Sequence, residues 1–233
     1  MSQVPAVVLG ATGYVGGELL RLIAAHPVFN LAAAVSESRA GTPVGDTFPH
    51  LAAALGDTPF AAHEAWLEGI PGGSPLALFS AAPHGASAAM IATVLEQAGA
   101  RGIEVHTVDV SADFRYREAA AYEAVYGTAH GAPQLLGEFV CAVPEHAAGA
   151  TTQHVAHPGC FATAILLAAV PLLQSGLVEP ELFVTGITGS TGSGPENGSS
   201  VRTAISSAPA ARRLRMYASA SAGVSHVPSY AGI

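Results

Sequence analysis

The chain contains no lysine; all nine of its basic residues are arginine. That removes chemistry built on an internal Schiff-base lysine, pyridoxal phosphate enzymes included, and it removes a P-loop, whose lysine reaches the nucleotide phosphates. Charge of either sign is sparse, 11% of 233 residues, with a balance of −8, which argues against a general affinity for nucleic acid or anionic lipid. A small anionic ligand stays within reach, because single arginines act locally. Abundant alanine beside missing lysine reads as genome composition bias rather than adaptation. There are two cysteines, and without an export signal reduced thiols are expected rather than a disulfide. The N-terminal MSQVPAVVLG has no positive charge before its apolar run and no small-residue cleavage site after it, so no secretory signal is read there. The longest strongly apolar run, residues 161–173, falls short of the ~20 residues of a membrane-spanning helix. A cytoplasmic chain with no membrane or nucleic-acid partner is expected, and no metal-ligand set is read from the sequence.

What is present is a sizeable core: 50% of the residues are hydrophobic, enough for one large domain or two smaller ones. VPAVVL, residues 4–9, reads as a strand buried on both faces, with Pro5 limiting pairing near its start. GATGYVGGELLRLIAAH follows, a glycine turn and then leucines and isoleucine at helical spacing up to His26-Pro27. NLAAAVSESRAG, PLALFSAAPHG and IEVHTVDVSADFR give further strands ending near Val35, Ser80 and Val110, with ASAAMIATVLEQAG as a helix between the last two. Strands alternating with helices imply right-handed crossovers and a parallel sheet. The fold class is therefore α/β, a Rossmann-type doubly wound sheet over residues 1–153, followed by an α+β substrate and catalytic domain over residues 154–233. No internal repeat is present, and from Ser193 on the chain turns to Ser, Ala, Gly and Pro with arginines at 212, 213 and 215.

Gly10, Gly13 and Gly16 sit between a buried strand and a helix, where missing side chains let backbone turn tightly and approach a pyrophosphate at the helix N-terminus; the competing reading is a merely structural tight turn. The end of the second strand reads Ser36, Glu37, Ser38, Arg39. Hydroxyls and an arginine suit a 2′-phosphate, which favours NADP, while Glu37 could itself be the ribose acid of an NAD site. Cys160 opens a predicted helix after Pro158-Gly159, facing unpaired N–H groups and the positive end of the helix dipole, which favour the attacking thiolate. Position alone leaves it between a nucleophile and a small apolar bystander, and Cys141, inside the strand-like EFVCAVP, reads as the bystander. Asp113 and Arg115 fall beyond a strand end, on the rim where open α/β sheets bind ligands; Arg115 either holds a phosphate or carboxylate or pairs with Asp113. His84, in APHG, reads as a structural loop histidine. GSTGSG, residues 189–194, is either a nest of N–H groups or a flexible loop.

With those residues in view, the sequence resembles the N-acetyl-gamma-glutamyl-phosphate reductases. The resemblance rests on GATGYVGGELLRLIAAHP, AGTPVGDTFPHL, APHG, VDVSADFR, VYGTAHGAPQLL, VPE, HPGCFATA and GSTGSG, in the family's order. It implies an NADP-dependent enzyme of arginine biosynthesis that reduces N-acetylglutamyl phosphate to its semialdehyde, releasing phosphate, through a thioester on Cys160. It assigns Gly10, Thr12, Gly13, Tyr14, Val15 and Gly16 to the dinucleotide turn and Ser36, Ser38 and Arg39 to the 2′-phosphate. Gly189, Ser190 and Gly192 fall to the nicotinamide-side loop, and Arg115 and Glu145 to the substrate. The family's general acid/base is a histidine in His-Arg-His-x-Pro-Glu; the nearest match is SHVPS, which makes His226 the candidate without the flanking histidine and glutamate. Cys141-Ala142 stands where the family has tyrosine-glycine, and Pro195-Glu196-Asn197 intervenes after GSTGSG. Beyond about residue 195 the sequence stops reading as family, so a truncated or frameshifted product is expected, with uncovered apolar faces, low stability and aggregation. Related enzymes for aspartyl or aminoadipyl substrates, and an inactive dinucleotide-binding fragment, are the competing readings; the oligomeric state is not readable from the sequence, and an exposed second-domain surface would allow a homo-oligomer.

Overall fold

The computed structural model describes residues 3–63, 66–147, 152–179, 181, 182, 184, 214 and 215. Its elements run β1 (Val4–Leu9), α1 (Tyr14–Ala24), β2 (Phe29–Val35), the short α2 (Val44–Thr47) and α3 (Ala52–Leu55), β3 (Pro75–Ser80), α4 (Ser87–Gly99), β4 (Glu104–Asp109), α5 (Ala119–Tyr126), β5 (Phe139–Cys141), β6 (His154–Ala156), α6 (Cys160–Gln174), β7 (Glu181–Leu182) and β8 (Leu214–Arg215). The chain divides into two compact units, Met1–His157 and Pro158–Ile233. The division therefore falls after β6 and leaves that strand in the first unit.

In the first unit six strands pair in the order β2-β1-β3-β4-β6-β5, every pairing parallel. Consecutive parallel strands need crossovers, and these lay helices over both faces. Alternation along β1 makes the division visible: Ala6 and Val8 join α1 residues Leu20 and Ile23 with Val44, Leu51 and Phe60, whereas Val7 and Leu9 join α4 residues Ala88, Ile91 and Val94 with Leu76, Leu78 and Phe114. β1 and the centre of β3 are thus apolar on both sides, which is why they read as near-continuous hydrophobic runs, whereas β4 alternates exposed Glu104 and His106 with buried Val105 and Thr107. α1 stops where expected, at Ala24, ahead of Pro27; the His26 ring then accepts hydrogen bonds at Nδ1 from the Val28 and Phe29 N–H groups, carrying the chain into β2.

Strand order reverses beside β1, with β2 on one flank and β3 on the other. At such a switch point the loops leaving the C-terminal ends diverge and open a crevice. The turn after β1 and the loops after β2, β3 and β4 all emerge along that edge. In the second unit, α6 and the antiparallel β7–β8 pair are described. Among the described residues no helix is long and apolar enough to cross a membrane.

Candidate active site

The turn after β1 is built from backbone packed too closely for side chains. Gly10 has φ +67, and a Cβ there would lie 2.6 Å from the Ala81 carbonyl oxygen on the neighbouring β3 loop. A Cβ at Gly16 would lie 2.6 Å from the carbonyl oxygens of both Gly10 and Ala11. These two glycines let α1 start directly behind β1 and against β3. Gly13 differs: a Cβ there would meet only the Gly10 oxygen at 3.8 Å, so its bareness leaves room rather than relieving a clash. Gly13 is also the N-cap of α1; no side chain caps the helix and its first turn carries no acidic residue. Tyr14 and Val15 stand exposed on that turn.

The neighbouring helix N-terminus is occupied. Asp113, buried in the loop after β4, accepts hydrogen bonds from the Gly85 N–H (2.8 Å), the Ala88 N–H (3.0 Å) and the Tyr122 hydroxyl (3.2 Å). Its carboxylate therefore satisfies the start of α4, where the dipole favours negative charge. Of the two helices entering the switch point, α4 is sealed from within the protein, and α1 presents its N-terminus without a side-chain cap.

Beyond β2, the hydroxyls of Thr12, Ser36 and Ser38 form a chain, Thr12 to Ser36 at 3.4 Å and Ser36 to Ser38 at 3.4 Å, ahead of exposed Arg39. The Glu37 carboxylate accepts the His63 N–H. The acid that could have held ribose hydroxyls is thus engaged by the loop beside it, while the hydroxyls and arginine stay grouped at the strand end.

The end of β4 and the loop after it hold three buried polar residues, Asp109, Ser111 and Asp113. Asp109 is inaccessible at the end of the strand; it accepts Ser87 Oγ at 2.7 Å, Ser111 Oγ at 2.7 Å and the Ser111 N–H at 3.1 Å, and Ser80 Oγ lies 2.6 Å from Ser87 Oγ. Burial pushes the Asp109 carboxyl above the usual carboxylate range against those hydrogen bonds, and nearby Asp113 adds repulsion. Sequence reasoning passed over this cluster, whose one local signal is the Asp-x-Ser-x-Asp alternation of residues 109–113. Arg115 does not pair with Asp113. Its Nε donates to the His157 carbonyl at 2.9 Å and a terminal nitrogen to the Val110 carbonyl at 3.1 Å; among the described residues no carboxylate forms an ion pair with it. A guanidinium held by neutral carbonyls keeps its charge uncompensated and its plane fixed, the condition for recognising a phosphate or carboxylate. Its charge opposes the effect of burial, which pushes the half-buried Cys141 thiol up, and reinforces the effect of burial, which pushes His157 down. Glu145 is exposed on a 3-10 turn at Pro144–His146.

In the second unit Cys160 is the first residue of α6 and is exposed. The N-cap Gly159 has φ +101, a conformation side-chain-bearing residues avoid, which explains why glycine precedes the thiol. Gly189, Ser190, Gly192 and His226 lie outside the described residues.

Residues 5–154 match the family model of the semialdehyde dehydrogenase NAD-binding domain, and residues 160–226 match that of the semialdehyde dehydrogenase dimerisation domain. The second match continues past residue 195, near which the sequence departs from the motifs quoted above. Among curated proteins, N-acetyl-gamma-glutamyl-phosphate reductase from Acidothermus cellulolyticus is 41% identical over 194 residues, covering 80% of this chain and 51% of its own length. The reductase of the same name from Rhodospirillum rubrum is 36% identical over 195 residues, covering 82% of this chain and 53% of its own. The chain spans about half the length of the curated relatives it matches. Among solved structures, an aspartate semialdehyde dehydrogenase with NADP from Candida albicans aligns at 24% identity and a TM-score of 0.38, covering 51% of this chain and 32% of that one.

Proposed function

The chain belongs to the semialdehyde dehydrogenase family, and from that premise we propose that it reduces N-acetyl-L-glutamyl 5-phosphate to the 5-semialdehyde with NADPH, through a thioester on Cys160. The carrying observation is an exposed thiol opening a helix behind a positive-φ glycine, in a chain whose dinucleotide turn ends in an uncapped helix. The identity to reductases of that name supports the acyl group.

The residues present fit the cofactor. The bare Gly13 and the open start of α1 suit a pyrophosphate, and Ser36, Ser38 and Arg39 suit a 2′-phosphate, with Glu37 withdrawn to the His63 N–H. When bound, NADPH supplies a hydride equivalent for the acyl carbon. The protein's own part is nucleophilic catalysis. The Cys160 thiolate attacks the acyl carbon; the new C–S bond forms as the C–O bond to phosphate breaks, and inorganic phosphate leaves. Once the acyl carbon is reduced, the C–S bond breaks, the aldehyde departs and the thiolate returns. Arg115, its guanidinium pinned by two carbonyls, is the residue we assign to the departing phosphate, with Glu145 on the substrate side and His226 moving the proton. The match to a dimerisation domain supports assembly of the chain with a second copy.

The test is phosphate-dependent NADP reduction by the purified chain with N-acetylglutamate semialdehyde, beside Cys160→Ser and with aspartate semialdehyde as competitor substrate. Turnover with the acetylated substrate that disappears in Cys160→Ser is expected. A preference for aspartate semialdehyde would overturn the substrate, and turnover surviving in the serine variant would overturn the thioester.

A further inference from the structure

The loop after β3 holds a histidine whose tautomer is fixed by the fold. His84 is exposed, yet its Nδ1 accepts the Ala112 N–H at 2.9 Å. A neutral imidazole that accepts at Nδ1 carries its proton on Nε2, and nothing among the described residues bonds that nitrogen. The ring's setting is fixed from both sides of the loop: two residues before it, the Ala82 N lies 2.7 Å from where a Gly10 Cβ would be, and the next residue, Gly85 at φ +84, donates its N–H to Asp113. A single oriented donor is therefore held at the end of β3, fastened to the loop that carries Arg115.

We infer that His84 is a cofactor-binding residue whose Nε2–H donates to an oxygen of the nicotinamide ribose or its phosphate. The argument is one of order along the sheet, and it rests on the dinucleotide reading of the preceding subsection. Strands run β2-β1-β3. The 2′-phosphate residues stand at the end of β2 and the pyrophosphate turn at the end of β1, so a dinucleotide laid along this edge reaches the end of β3 with its nicotinamide half. Of the N–H groups around that loop, those of Gly85 and of Ala88 in α4 are taken by Asp113 and that of Ala86 by the Pro83 carbonyl, which leaves the imidazole as the loop's oriented side-chain donor.

The decisive variant is His84→Asn. An asparagine side chain there keeps an acceptor at the δ position for the Ala112 N–H and removes the donor at the ε position, so anchoring and ligand binding separate. Binding is measured with NADPH and with adenosine 2′,5′-bisphosphate, which carries the adenosine half alone. The expected result is a Kd for NADPH raised about 3- to 10-fold, the worth of one hydrogen bond, with bisphosphate binding and Tm unchanged. NADPH binding equal to wild type overturns the assignment. Equal weakening of both nucleotides also overturns it, since that marks a disturbed loop. Wild-type chain that binds neither NADPH nor NADH overturns this inference and the dinucleotide reading together. Wild-type chain that prefers NADH removes only the 2′-phosphate reading, and the same comparison then decides His84 with NADH against 5′-ADP.

Discussion

At the scale of single residues, Asp109 at the end of β4 and Arg115 in the loop after it are accommodated in opposite ways. Arg115 is exchanged for lysine at a cost that geometry sets: a lysine ammonium cannot reproduce a fork held at once by the carbonyls of His157 and Val110, nor bind an anion bidentately. Arg115→Lys is expected to raise the KM for phosphate about 10- to 100-fold, the range for charge-assisted hydrogen bonds, while leaving the Kd for NADPH in place; an unchanged phosphate KM would remove Arg115 from the site. Asp109 carries its charge with no cation among its partners. Its carboxyl is pushed above the 3.8 of an unperturbed aspartate, first by burial, so the folded chain holds that proton more tightly than the unfolded one. Stability from this group is then present below pH 3.8 and is lost as pH rises through the folded value. Asp109→Asn abolishes the ionisation, and the variant-minus-wild-type difference in Tm is expected to be more favourable to the variant at pH 7 than at pH 4. A difference that stays flat between those pH values would show an unshifted carboxyl. Beyond the Asp-x-Ser-x-Asp alternation, this cluster was not legible in the sequence, because the burial that perturbs Asp109 is made by strands and helices distant along the chain.

At the scale of elements, the turn between β1 and α1 is where local sequence and function coincide. Gly16→Ala places a methyl 2.6 Å from two carbonyl oxygens, both backbone, and neither can move without shifting the turn. The variant is expected to lose roughly 1–3 kcal/mol, the cost of overpacking, together with nucleotide affinity. Gly13→Ala, facing only one atom at 3.8 Å, is expected to keep its Tm and to lose affinity alone. Chemical denaturation and nucleotide titration of the pair check this contrast, and a matched loss of stability in both would refute the distinction drawn between them. The strand–glycine–helix pattern made this element readable, since both its helical period and its tight turn are local. EFVCAVP, which holds β5, read as strand-like but without a place in the parallel sheet, and β6 was not read as a strand. Each has three residues, too few for a period to register, and they are strands by virtue of pairing with each other and with β4.

At the scale of the whole molecule, two compact units share the chain, and the first carries the dinucleotide turn and the arginine while the second carries the thiol. A ligand that binds only the folded first unit stabilises it by mass action, about 2.7 kcal/mol at a hundredfold excess over Kd. NADPH is expected to raise Tm more than NADH at equal concentration, the difference being the 2′-phosphate; a larger shift with NADH would assign Glu37 rather than Arg39 to the ribose. What the sequence by itself determined is what local rules control. The absence of lysine removed whole chemistries, alternation of apolar runs with helical periods determined the α/β class, and Pro158-Gly159 ahead of an apolar run placed Cys160 at a helix start. What only the tertiary structure decided depends on groups far apart in sequence. The order β2-β1-β3-β4-β6-β5 brought Gly10 against Ala81, sent the Asp113 carboxylate to α4 instead of to Arg115, and set the proton of His84 on Nε2. Parallel pairing leaves no register in the local sequence, and a side chain's partner is known only once the backbone that offers it has been put in place.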